Sequence, residues 1–233
     1  CSLHGAERID GEYCIGAGVH LYNVTNGTID DVTAYNNENG IYLWYSSSNT
    51  MCNITAYDNW CGIYLYNSHS NTMCNITTYD NRNGIYLWES SSNTMYNITA
   101  YNNDYGIYLS WRSSSNTLCN TTAYDNRRGI YLYWSSSNTL CNISMYNCGI
   151  DFGGDFDTCT TQSIENCSVN DKPVYYYKNM DMNNATVPLD AGEVILGNVT
   201  NLIIENLTLN NGTVGILMGY SSHITVRNIT AYN

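Results

Sequence analysis

The chain has 233 residues, and its 8 Lys and Arg against 20 Asp and Glu give a formal charge of −12 that opposes binding to nucleic-acid phosphates or anionic lipid surfaces. No apolar run approaches the roughly 18 residues that a membrane-spanning helix needs. Ten cysteines and thirteen Asn-x-Ser/Thr sequons point to an oxidising setting, extracellular or at the cell surface.

Residues 1–17 form a lead-in that opens at Cys1 without a charged and apolar leader, so the numbering is expected to start after processing or inside a longer precursor. From Gly18 the chain repeats. Gly-Ile-Tyr-Leu begins at Gly40, Gly62, Gly84, Gly106 and Gly129, with variants at Gly18, Gly149 and Gly215, and the steps from Gly18 are 22, 22, 22, 22, 23 and 20 residues. Each unit also carries Ser-Ser-Asn-Thr-Met/Leu-Cys-Asn-Ile-Thr-Ala-Tyr-Asp-Asn or a near variant. Short β-favouring runs between Asn, Gly and Ser clusters read as strands and bends. Three short strands per coil predict an all-β, right-handed parallel β-helix with about 22 residues per coil, each strand pairing with its equivalent one coil away. The single domain of 1–233 then divides into regular repeats over 18–148, irregular coils over 149–192 and final coils over 193–233, with no terminal caps.

Comparing copies assigns side chains. Ile29, Met51, Met73, Met95, Leu118, Leu140, Ile204 and Val226 share one interior column. The next holds Asp30, Cys52, Cys74, Tyr96, Cys119, Cys141, Glu205 and Arg227, and charged residues are almost never buried unpaired, so that column faces out. Strict alternation turns Asn49, Asn71, Asn93, Asn116 and Asn138 inward as an amide ladder. The insertion near Ser110, Trp111 and Arg112 belongs in a bend, because inside a strand it would reverse every side chain.

Gly-Ile-Tyr-Leu, Ser-Ser-Asn-Thr-Leu and Asn-x-Thr-Ala, with Asp171–Lys178 and Asp190–Leu196, resemble the parallel β-helix repeats of the NosD-type family of archaeal (methanogen) cell-surface proteins. The resemblance implies the fold. It does not choose among the copper-related, sugar-related and surface-protein roles that the family name spans.

Cys52 with Cys74 and Cys119 with Cys141 lie in one column of adjacent coils, within disulfide range, and are predicted to be bridged. Cys1 with Cys14, and Cys159 with Cys167 or Cys148, are further expected pairs, which leaves Cys61 as the candidate for a bridge between subunits. Two outward tyrosine rows, Tyr42, Tyr64, Tyr86, Tyr108, Tyr131 and Tyr35, Tyr57, Tyr79, Tyr101, Tyr124, Tyr146, are flanked by Trp44, Trp88, Trp111 and Trp134. Such rows suit simple stacking, lateral packing between copies, or stacking on sugar rings. Glu12–Leu21 enters the repeat directly, and Ile229–Asn233 stops within a repeat.

Asp151, Asp155 and Asp157 are the strongest acidic cluster, read as a structural loop, a calcium site or the acid and base of a glycosidase. No other cofactor or metal is expected. The buried methionines read as core filler, and the scattered histidines do not suggest copper. Asn26, Asn184, Asn198 and Asn211 fall in predicted turns and are the expected carriers of N-linked glycans, whereas the column Asn53, Asn75, Asn97, Asn120, Asn142, Asn228 reads as inward or in a bend. The expected protein is a non-enzymatic, disulfide-stapled β-helix assembling head-to-tail with copies of itself into a filament or surface layer. The alternative is a polysaccharide-binding or polysaccharide-cleaving β-helix.

Overall fold

The computed structural model of the chain describes residues 2–4 and 16–232. The backbone winds as a right-handed parallel β-helix of about 10 turns of about 22 residues, with almost no α-helix. Six-residue strands recur at Ala17–Tyr22, Asn39–Trp44, Cys61–Tyr66, Asn83–Trp88, Tyr105–Ser110 and Arg128–Tyr133, and with the shorter Ile150–Gly153 they pair in sequence as a seven-stranded sheet. Eight-residue strands at Thr28–Tyr35, Thr50–Tyr57, Thr72–Tyr79, Thr94–Tyr101, Thr117–Tyr124 and Thr139–Tyr146 make up half of a twelve-stranded sheet. Equivalent residues pair across coils, Ile41 with Ile63 and Met51 with Met73.

The recurring glycine has a steric cause. A Cβ on Gly40 would lie 2.5 Å from the Gly62 carbonyl oxygen, and one on Gly84 would lie 2.5 Å from that of Gly106, so any larger residue would push the coils apart.

The structure corrects the expected three strands per coil to two, because two of them fuse across a corner. Asn53, Asn75, Asn97, Asn120 and Asn142 take left-handed backbone with φ between 52° and 55°, a conformation that asparagine tolerates better than most residues. The ladder steps over them, pairing Cys52 with Cys74 and then Ile54 with Ile76. Each corner residue resets the alternation, so Met51 and Ile54 point in while Asn53 is exposed. Of the two readings of this asparagine column, inward or in a bend, the structure gives the second: it lies at a corner and faces solvent, its amides bonded along the stack, as in Asn75 Nδ2 to Asn53 Oδ1 at 3.1 Å.

Ile41, Leu43, Met51, Met73, Met95, Leu118, Leu140 and Ile204 are buried in the core as expected. Val226 pairs with Ile204 but is 43% exposed, since its strand, Ser222–Arg227, is paired on one side only among the described residues. Trp111 and Arg112 lie in a bend beyond Ser110, where both take positive φ and leave the register intact. The Asn49 ladder is buried, and two further ladders accompany it. Ser46 N donates to Ser68 Oγ at 3.0 Å, and Asn37 N donates to Asn59 Oδ1 at 2.9 Å, with equivalents in the coils that follow. Together they satisfy backbone groups in the bends, where strand pairing stops.

Past Ile150–Gly153 come the short helix Phe156–Thr160 and the strand Ser163–Val169. The long strands Lys172–Thr186 and Glu193–Glu205 then pair in parallel, and a second core cluster that includes Val187, Val199, Leu202 and Leu209 packs beyond the first.

Candidate functional site

On the outer face of the seven-stranded sheet, His20, Tyr42, Tyr64, Tyr86, Tyr108, Tyr131 and Asp151 form one column in register. Ring centroids of successive tyrosines are 4.8–5.0 Å apart and stacked, and His20 stacks on Tyr42 at 4.8 Å. This row is less available for contact than the sequence suggests. Tyr42 is only 4% exposed, because Trp44, Tyr45 and Tyr66 crowd over it. Burial, then the neighbouring phenols, push the Tyr42 hydroxyl up to about 12, and burial drives Tyr64 and Tyr86 upward too. The row is thus a neutral, packed floor.

Above it lies a groove of about 470 Å³ whose walls include Glu38, Trp44, Tyr45, Trp60 and Tyr66. Tyr66 meets Trp44, Tyr45 and Tyr64 edge-on, at 6.4, 5.9 and 6.4 Å between centroids. Trp44 stacks against Tyr45 at 6.0 Å, and Tyr45 and Trp60 are 47% and 50% exposed. The position of Tyr45 is costly: it takes φ 49°, where the equivalents one coil away are Asn23 and Asn67. A bulky residue in the left-handed region costs about 1 kcal/mol, and such strain persists where surrounding contacts or function require it. Trp60 lies one coil beyond Glu38 and one before Arg82, whose guanidinium sits 4.1 Å from the Trp60 ring centroid. The indole Nε1 of Trp44 is buried without a hydrogen-bond partner among the described residues.

The opposite tyrosine row is different. Tyr35, Tyr57, Tyr79, Tyr101 and Tyr124 stack at 4.7–5.0 Å with ring planes within 3–7°. Each face is covered by the next ring, so this row presents edges and hydroxyls rather than faces for a sugar to stack on. Sequence reasoning named Trp44 and Tyr42 but missed Glu38, Tyr45, Trp60 and Tyr66. The usable signal was departure from the repeat at surface positions, with a tyrosine where neighbouring coils carry asparagine.

Disulfides join Cys52 to Cys74 and Cys119 to Cys141. Cys1 and Cys14 lie outside the described residues. The expected Cys159–Cys167 pair is not formed: Cys167 points into the core from Ser163–Val169 and donates to the Leu140 carbonyl, while Cys159 lies in the helix Phe156–Thr160. Cys148 is buried and unbridged. Cys61 is also no bridge between subunits, being 2% exposed beneath the groove, where its Sγ accepts from Asn83 Nδ2 at 3.3 Å.

The acidic cluster likewise comes apart. Asp151 pairs with Arg128 at 2.6 Å. Asp155 caps the helix, and although burial raises its carboxyl, hydrogen bonds from Thr158 hold it below its ordinary value. Asp157 is exposed in the first helical turn. Among the described residues no group of three or more His, Cys, Asp or Glu is placed to hold a metal ion.

Of the expected glycan carriers, Asn26 and Asn211 lie in bends. Asn184 and Asn198 instead lie within Lys172–Thr186 and Glu193–Glu205, at left-handed kinks, and Asn26 and Asn184 are exposed.

The fold defines the class, a parallel β-helix with an aromatic groove on its outer face. Residues 4–200 match the family described as periplasmic copper-binding protein (NosD), and the chain belongs to that family. No curated protein matches it. Among solved structures it is similar to the A-module of a mannuronan C-5 epimerase from Azotobacter vinelandii, at 14% identity, TM-score 0.55, 92% of this chain and 54% of that one. A tailspike protein from Pseudomonas phage LKA1 aligns at 14% identity and TM-score 0.58, over 93% of this chain and 42% of that one. The catalytic domain of a GH87 α-1,3-glucanase aligns at 15% identity and TM-score 0.50, over 94% of this chain and 62% of that one. The chain thus spans roughly half the length of these structures, and the likeness shows a shared fold.

One expectation changes. The non-enzymatic reading is overturned, because the scaffold is one on which an epimerase and a glucanase are built. Copper, named in the family description, does not fit the described residues. Met51, Met73 and Met95 are fully buried, His20 stacks on Tyr42, and His69 is bonded to Asn67 and Ser91, so no set of soft ligands converges.

Proposed function

We propose that the chain takes a polysaccharide into the groove walled by Trp44, Tyr45, Trp60 and Tyr66, to hold it or to act on it. The observation that carries this reading is the cluster of exposed rings at the rim of the groove, Tyr45 at 47% and Trp60 at 50%, with Tyr45 in the left-handed corner position that later coils also fill with Glu89, Trp111 and Trp134. Exposed aromatic rings such as Tyr45 and Trp60, held on a rigid sheet, are what sugar rings stack on, and the scaffold is shared with polysaccharide-acting proteins. Head-to-tail assembly draws no support from these comparisons.

Disulfides and membership of a family described as periplasmic support a place outside the cytoplasm. No helix among the described residues is long and apolar enough to cross a membrane. The archaeal cell surface suggested by the repeat is one such place.

Affinity electrophoresis against a panel of soluble polysaccharides, with reducing-end release followed in parallel, tests the reading. Retardation by at least one polymer is expected, abolished in Tyr45→Ala/Trp60→Ala. Equal migration of both proteins in every gel would remove it.

A further inference from the structure

Resting on that reading, we infer that the polysaccharide is a polymer of amino sugars bearing free ammonium groups. The groove has one charged residue in its lining, the carboxylate of Glu38, and no lysine, arginine or histidine. A polyuronate would bring its own carboxylates against Glu38 in a chain whose formal charge is −12, and the nearest cation, the guanidinium of Arg82, is already stacked on Trp60. An ammonium group meets the opposite situation. Aromatic faces attract cations through the ring quadrupole, and this surface already does so: Arg82 lies over Trp60 at 4.1 Å, and Arg128 lies over Tyr131 at 4.6 Å.

The arrangement around Trp60 makes the assignment specific. Arg82 comes from the coil that follows Trp60 and covers that side of the ring. Glu38 lies in the coil that precedes Trp60, where its carbonyl accepts from the backbone of Cys61 at 2.9 Å. An amino sugar taken into the groove meets both an aromatic ring and the Glu38 carboxylate that lines it. A neutral sugar gains the stacking alone, and an acidic one loses by repulsion.

Binding of short glucosamine oligomers, N-acetylglucosamine oligomers and mannuronate oligomers is compared by calorimetry at mildly acidic pH, on the wild type, Glu38→Gln and Trp60→Ala. The free-amine oligomer should bind most tightly and should weaken as salt is raised. Glu38→Gln should weaken it about five- to tenfold while changing the acetylated oligomer by less than about twofold. Trp60→Ala should weaken both. Should the acetylated or acidic oligomer bind as well as the free amine, or Glu38→Gln affect all alike, the amino-sugar assignment fails and the polysaccharide reading survives. If no oligomer binds, and no polymer is retarded in the electrophoresis above, both fall together.

Discussion

Asn49 donates both its backbone N–H and its side-chain Nδ2 to one atom, Asn71 Oδ1, at 2.8 and 3.2 Å, and its Nδ2 also reaches the Val24 carbonyl at 3.0 Å. Each rung thus closes backbone groups in the coils on either side of it. Repeated through Asn93, Asn116 and Asn138, the ladder ends where Gln162 Oε1 accepts from Asn138 N at 2.9 Å. Replacing a middle rung, Asn93→Ala, strips the acceptor from two Asn71 donors and the donor from the Ser68 and Ser91 carbonyls. Several buried polar groups left unpaired should cost about 3 kcal/mol. Urea unfolding measures this, and a loss below about 1 kcal/mol would mean that the ladder decorates the core rather than holding it.

The exposed ladder should behave oppositely. Asn97 is selected for its left-handed backbone, φ 55°, more than for its 3.2 Å bond to Asn75. Asn97→Gly should change stability by less than about 1 kcal/mol, whereas Asn97→Val should lose about 2 kcal/mol, because a β-branched residue cannot adopt that conformation cheaply. Equal losses in thermal unfolding would assign the effect to the side-chain bond instead.

This contrast shows where the sequence was legible. The coil length, the core columns Ile41 and Met51, the inward Asn49 ladder and the Cys52–Cys74 pairing follow from matching copies, since stacked coils force equivalent residues into register. The inward alternative for Asn53 fails because it carries strict alternation through a corner, and one left-handed residue shifts the phase by one. The groove was harder to read. Glu38, Tyr45 and Trp60 matter as exceptions to the repeat, and periodic matching discards exceptions. Cys159 and Cys167 lie where the repeat lapses, so no register constrained their pairing.

Cysteine chemistry provides a direct map. Burial pushes the thiols of Cys61, Cys148 and Cys167 up to about 12, 11 and 11, so all three are protonated and shielded at neutral pH. In native protein, iodoacetamide should modify half-buried Cys159 first and the other three only after denaturant is added, with Cys52–Cys74 and Cys119–Cys141 recovered as linked peptides. Each bridge closes a separation of 22 residues, and its reduction should cost about 3 kcal/mol. Rapid native labelling of Cys61 would contradict its place beneath the groove.

Glu193 should make the fold pH-sensitive. Its side chain is 1% exposed, Oε2 accepts from Ile150 N at 3.1 Å, and Oε1 has no partner among the described residues. Burial raises its carboxyl well above the ordinary value of 4.5, the Ile150 bond opposes that, and Asp151 adds to it. Below the ordinary value both the folded and unfolded chains hold the proton, and the contribution of Glu193 to stability is fully present. As pH rises from there toward the folded-state value, the unfolded chain ionises while the folded one does not. Unfolding then releases a proton, and stability falls by up to about 1.4 kcal/mol per pH unit. Glu193→Gln keeps an acceptor for Ile150 and has no proton to lose. The variant should therefore match the wild type near pH 4, exceed it at pH 7, and show a flatter dependence in urea titrations across that range. Parallel curves for the two proteins would show that Glu193 does not stay protonated in the folded chain.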